Sequence, residues 1–223
     1  MKILVADGVS EKGIEILSKE FECEIRAKLP AEELLATIHE YDGLVVRSAS
    51  KVTKEVIEAA TNLKVIGRAG VGVDNIDIEA ATAKGIIVLN APEGNTIAAT
   101  EHTVAMMLSM ARNIPQAHSS VQNGEWKRNQ FVGVEMRGKT LGVIGLGRIG
   151  SGVAKRAIAF DMKVIGYDPY VNEERAKTMG IEVVSLEEIY ANADFISVHM
   201  PLTAQTKDLI NSETISKMKD GVY

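Results

Sequence analysis

Gly145, Gly147 and Gly150 occupy the three fixed positions of G-x-G-x-x-G directly after the apolar run Leu141-Gly142-Val143-Ile144, and Asp168 closes a second apolar run eighteen residues further on. That combination suits the chemistry of dinucleotide binding. Gly145 permits a tight turn from strand to helix, Gly147 lets the backbone approach a pyrophosphate, and Gly150 lets the helix pack close to the sheet. The N-terminus of the helix that follows offers free N–H groups and the positive end of a dipole to phosphates. A carboxylate at the tip of the next strand accepts both hydroxyls of an adenosine ribose, whereas a 2′-phosphate would meet like charge there. The spacing therefore predicts NAD as cofactor, preferred over NADP.

Other chemistries find no support. Metal-ligand spacing, a phosphate P-loop and a Cys-His nucleophile pattern are all missing from the sequence. Cys23 is the only cysteine, so no intrachain disulfide can form, and it reads as a small, partly buried hydrophobe. Of the four histidines, His39, His102, His118 and His199, none is assigned as an acid or base, and Glu101 is read as a capping residue or one in an interdomain hydrogen bond. A net charge of -5 and the lack of a basic run argue against nucleic acid as a partner. No signal peptide is read at Met1-Lys2-Ile3, and no apolar run approaches a membrane span, so a soluble, cytoplasmic protein is expected.

The elements that must position these groups follow from the hydrophobic pattern. In the first part, strands are predicted at Ile3–Ala6, Cys23–Ala27, Gly43–Arg47, Leu63–Gly67 and Ile86–Leu89, with helices at Gly13–Lys19, Glu32–His39, Lys54–Ala60 and Ile78–Ala83. The turn-rich segment Asn90-Ala91-Pro92-Glu93-Gly94-Asn95 ends it. A long apolar helix from Thr96 to Arg112 is expected to cross between domains, its methionines packed in the core, and Trp126 is either an interface anchor or a packed side chain. A second series follows, with strands at Leu141–Ile144, Lys163–Tyr167, Glu182–Val184 and Phe195–His199, and helices at Ser151–Phe160, Glu173–Met179, Leu186–Ala191 and Ser212–Met218. Gly221-Val222-Tyr223 resembles the start of a further strand. The fold class is α/β, with two doubly wound parallel-sheet domains: a flavodoxin-like substrate-binding domain at 1–95, then an incomplete Rossmann NAD-binding domain at 96–223.

Four blocks taken together resemble the D-isomer-specific 2-hydroxyacid dehydrogenases. They are Val46-Arg47-Ser48-Ala49, Arg68-Ala69-Gly70-Val71-Gly72-Val73-Asp74-Asn75, the stretch from Gly138 to Gly150, and Val198-His199-Met200-Pro201-Leu202-Thr203. The likeness runs over essentially the whole chain and is strongest to the branch that acts on D-3-phosphoglycerate. It implies oxidation of that acid at its C2 hydroxyl, with hydride passing to NAD and 3-phosphohydroxypyruvate released, as the entry step of serine synthesis. It also implies substrate contacts at Arg47, Ser48, Gly70, Val71, Gly72 and Asn95, and cofactor contacts at Gly145, Gly147, Arg148, Ile149, Gly150, Asp168, His199, Met200 and Pro201. The family's catalytic Arg, Glu and His are expected beyond Tyr223, so no catalytic residue is assigned within 1–223 and this stretch is expected to be inactive alone. A homodimer is the further expectation, with the helix from Thr96 and the segment around Trp126 at its contact. Two other readings stay open: a dehydrogenase for glyoxylate or a branched keto acid, and a non-catalytic NAD-sensing corepressor on the same fold.

Overall fold

A computed structural model describes all 223 residues, which divide into two compact units, Met1–Asn95 and Thr96–Tyr223. In the first unit five strands alternate with four helices: β1 (Lys2–Val5), α1 (Glu11–Ser18), β2 (Glu22–Ile25), α2 (Ala31–Thr37), β3 (Gly43–Val46), α3 (Lys54–Ala59), β4 (Val65–Arg68), α4 (Ile78–Ala83) and β5 (Ile87–Asn90). All pairs are parallel and the order is β2-β1-β3-β4-β5, the flavodoxin-like arrangement. Parallel strands covered by helices are apolar on both faces. Accordingly Leu4, Leu44 and Ile66 are buried against Leu34, Ile38, Tyr41 and Ile57.

The second unit begins with α5 (Thr96–Ala111) and α6 (Ile114–Gln122). It continues as β6 (Thr140–Ile144), α7 (Arg148–Ala159), β7 (Lys163–Tyr167), α8 (Glu173–Thr178), β8 (Glu182–Val183), α9 (Leu186–Asn192), β9 (Phe195–Val198) and α10 (Ser212–Ile215). Its parallel sheet runs β8-β7-β6-β9, which is the 3-2-1-4 half of a Rossmann order. Alternation along β6 sends Leu141 and Val143 to one core with Met107, Val153, Ala157 and Phe195, and Ile144 to another with Ile189 and Tyr190. Sheet and helices are thus packed on both faces.

Several expectations need adjustment. The helix after the glycine turn starts at Arg148, three residues earlier than its apolar run suggested, because Gly147 takes the N-cap position. Only Met107 of the α5 methionines is in the core, while Met106 and Met110 are exposed. Trp126 is 80% exposed, so a packed role within the chain is ruled out. Glu101 is exposed too. Residues 216–218 do not continue α10. Gly221–Tyr223 is not a regular strand, yet Tyr223 N–H donates to Asp194 O (3.0 Å), Ile196 N–H donates to Tyr223 O (2.9 Å), and the Tyr223 ring stacks on Phe195 at 4.7 Å.

Candidate functional site

In the second unit, β6 pairs with β7 on one side and β9 on the other, so the chain reverses its direction of winding between β6 and β9. Ligands of open α/β sheets bind outside the carboxyl ends of strands at such a switch point. Gly145 and His199 stand there. Gly145 N–H donates to Tyr167 O and His199 N–H donates to Ile144 O, both at 2.7 Å. Gly145 has φ +98°, and a Cβ on it would lie 2.8 Å from the His199 carbonyl, so both conformation and space demand glycine. A Cβ on Gly150 would overlap the Gly145 carbonyl oxygen, which fixes how closely α7 approaches the turn. Over Gly147, in contrast, a Cβ would meet nothing within 4 Å. Open backbone at the head of α7, with no side chain capping it, is where a pyrophosphate would fit.

Asp168 follows β7 immediately. Its Oδ2 accepts Leu146 N–H and its Oδ1 accepts Tyr170 N–H, each at 2.8 Å. A carboxylate oxygen can accept more than one donor, so this half-buried group retains capacity for ribose hydroxyls. Arg148 and Ile149 begin α7 beside this turn. His199 is half-buried, its Nε2 lies 2.9 Å from Ser197 Oγ, and burial pushes its pKa below the usual imidazole value. Met200 packs against the core beneath β6, and Pro201 is exposed, its carbonyl accepting Thr206 Oγ1 at 2.6 Å. Ser197 and Leu146 were not singled out from the sequence. An alternating strand position and a backbone donor leave no motif to notice.

In the first unit, β3, β4 and β5 are parallel neighbours with Val46, Arg68 and Asn90 in register, so the segments that follow them emerge at one end of the sheet. Arg47, Ser48 and Ala49 are exposed there. The Arg47 guanidinium donates to Gly8 O at 3.1 Å, which leaves most of its five N–H donors for an anion. Gly70, Val71 and Gly72 form the turn after β4: a Cβ on Gly70 would overlap the Arg68 guanidinium, and one on Gly72 would lie 2.8 Å from Asp74 Oδ1. Asn90 Nδ2 donates to Val71 O (2.6 Å) and Ala91 N–H to Gly70 O (2.9 Å), so the turn is pinned from β5. Asn95 is exposed in the turn before α5.

Three further residues organise this end of the sheet. Asp7, buried at 3% exposure just past β1, accepts Arg47 N–H (2.6 Å), Ser50 N–H (3.1 Å) and Ser50 Oγ–H (3.0 Å). Asn75 Nδ2 donates to Arg47 O and Ser50 O, both at 2.6 Å. The sequence signal for Asp7 is an acid directly after an apolar strand. It is too common to stand out alone.

The family model for the D-isomer specific 2-hydroxyacid dehydrogenase, NAD binding domain, matches residues 104–223, and the chain belongs to that family. It is 53% identical over 223 residues to D-3-phosphoglycerate dehydrogenase of Archaeoglobus fulgidus and 56% identical over 220 residues to that of Methanocaldococcus jannaschii. These matches take in 100% and 98% of the chain but 42% of each relative, so the chain spans about two-fifths of the length of these curated relatives. Among solved structures, D-lactate dehydrogenase from Aquifex aeolicus, complexed with NAD and lactic acid, superposes with a TM-score of 0.88 at 32% identity, covering all of this chain and 67% of that one. An acyclic imino acid reductase in complex with NADPH and D-Arg gives a TM-score of 0.88 at 31% identity over 98% of this chain and 71% of that one. The cofactor is NAD, and the open backbone at Gly147 with Asp168 at the tip of β7 fits it. No helix is long and apolar enough to cross a membrane.

Proposed function

We propose that the full-length protein oxidises D-3-phosphoglycerate with NAD, the first unit binding the substrate and the second the cofactor. The observation that carries this reading is that each unit by itself has a prepared end: a glycine turn with Asp168 in the second, and exposed Arg47 beside the Gly70 turn in the first. Identity above 50% to two D-3-phosphoglycerate dehydrogenases supports the choice of acid. NAD supplies the hydride acceptor when bound, and the protein supplies position and charge. Gly145, Gly147 and Gly150, with the N–H groups of Arg148 and Ile149, hold the pyrophosphate; Asp168 accepts ribose hydroxyls; His199, Met200 and Pro201 border the nicotinamide side. Arg47 and Ser48, the Gly70-Val71-Gly72 turn and Asn95 take the anionic substrate. No residue of 1–223 is assigned the proton transfer.

A homodimer in the cytoplasm completes the proposal, with α5 and the segment around Trp126 as the contact; exposed Ile97, Met106, Met110 and Trp126 support that surface. The test is the rate of NAD reduction by the full-length enzyme with D-3-phosphoglycerate, D-lactate and a branched D-2-hydroxy acid. A higher kcat/KM for the phosphorylated acid is expected. Equal or greater values for an unphosphorylated acid would overturn the substrate assignment, and absence of turnover with intact NAD binding would favour the corepressor reading.

A further inference from the structure

Resting on the proposal that the segment after β3 binds substrate, we infer that Asp7 and Asn75 are positioning residues that clamp Arg47–Ser50 in its binding shape and tie it to the Gly70–Asn75 segment. The clamp is reciprocal. Asp7 takes the backbone N–H groups of Arg47 and Ser50, and Asn75 donates to the backbone carbonyls of the same two residues. Both polar groups at each end of the loop are thereby held, while Ser48 and Ala49 between them stay exposed.

Two features set this apart from ordinary packing. A carboxylate at 3% exposure is costly unless its charge is met by hydrogen bonds, and the three hydrogen bonds that the Asp7 carboxylate accepts come from the two ends of this one loop. Asn75 sits at the far end of the Gly70 turn segment, and its own backbone is stitched to the chain just past the loop: Val52 N–H donates to Asn75 O at 2.8 Å, and Val52 bridges Ile76. The side chain and backbone of Asn75 thus hold one proposed substrate segment against the other. Because Nδ2 faces two carbonyls, an aspartate there would turn both attractions into repulsions.

The direction of the Arg47 side chain depends on this frame, since its guanidinium is steadied only by the neighbour of Asp7, Gly8 O. A small displacement of a recognition group is costly to binding and rate.

The test uses the full-length enzyme with Asp7→Asn, Asn75→Asp and Ser50→Ala. Steady-state constants are measured for D-3-phosphoglycerate and unphosphorylated D-2-hydroxy acids, and for NAD, alongside thermal unfolding and amide exchange at Arg47 and Ser50. KM for whichever acid the wild type oxidises should rise roughly 10- to 100-fold in Asp7→Asn and Asn75→Asp, and less in Ser50→Ala, with KM for NAD within about two-fold of wild type. Faster exchange of the Arg47 and Ser50 amides should accompany the rise. Oxidation of only unphosphorylated acids by the wild type would contradict the substrate assignment alone, because the clamp is judged on the acid that is used. Unchanged acid KM in folded variants, or an equal rise in both KM values, would overturn the clamp. Ser50→Ala removes one hydroxyl donor and leaves both backbone N–H groups on Asp7, so it decides the matter if the other two variants unfold.

Discussion

Asp168 Oδ2 accepts the Leu146 backbone N–H at 2.8 Å, which makes the acid at the tip of β7 and the glycine turn after β6 one hydrogen-bonded unit. The residue proposed to hold the ribose therefore also shapes the turn proposed to hold the pyrophosphate. Asp168→Ala should weaken NAD binding by about 1–3 kcal/mol, the scale of hydrogen bonds to a charged group, and should narrow discrimination against NADP. Calorimetric titration reads both effects. Unchanged NAD affinity in the variant would detach Asp168 from the site.

The three motif glycines should respond differently to alanine. Gly145→Ala and Gly150→Ala place a methyl group against the His199 carbonyl and the Gly145 carbonyl respectively, so each should lower stability by about 1–3 kcal/mol, the usual cost of overpacking. Gly147→Ala meets open space. Its stability should match wild type while NAD binding weakens, because the methyl group stands where the backbone is proposed to approach the phosphates. Denaturant unfolding and NAD titration of all three variants separate fold from function.

Burial lowers the pKa of His199. Its folded value lies below its unfolded value, so the contribution to stability is present above the ordinary imidazole pKa of 6.5 and is lost as pH falls through the folded value. The protein should be less stable at mildly acidic pH than at neutral pH, ahead of any loss from carboxylate protonation. Asn in place of His199 should flatten that part of a stability profile measured by urea unfolding. A slope that persists in His199→Asn would assign it to other groups.

Arg47→Ala in the full-length enzyme should raise KM for the phosphorylated acid more than it lowers kcat, the pattern of lost uniform binding. The guanidinium makes one hydrogen bond, to Gly8 O, and Arg47 is exposed, so the fold should be little affected. A proportionate fall in kcat with unchanged KM would place Arg47 in the chemical step instead.

Much of the fold is legible in the chain because parallel strands buried on both faces must be continuous apolar runs, and strand Lys163–Tyr167 is found where the pattern puts it; helix Ile78–Ala83 is found where helical spacing puts it. The start of α7 is not legible in the apolar pattern, for a physical reason. Arg148, Ile149 and Gly150 carry the first turn through backbone geometry set by Gly147, with no apolar periodicity to mark it. The exposure of Met106 is likewise hidden, since composition cannot tell a core face from an outward one on an apolar helix, and Trp126 lies outside any helix or strand, where no periodicity marks a face. The glycine turn and Asp168 could be read from spacing. Asp7, Ser50 and Asn75 could not, because their partners lie 25 to 43 residues away and only the sheet order brings them together.

If the second unit holds the cofactor through the glycine turn with Asp168 on its ribose, the decisive measurement is the affinity of the unmutated protein for NAD and for NADP, by calorimetry at one ionic strength. NAD should bind clearly more tightly, because a 2′-phosphate would meet the Asp168 carboxylate. Equal affinity for the two, or tighter binding of NADP, would contradict it.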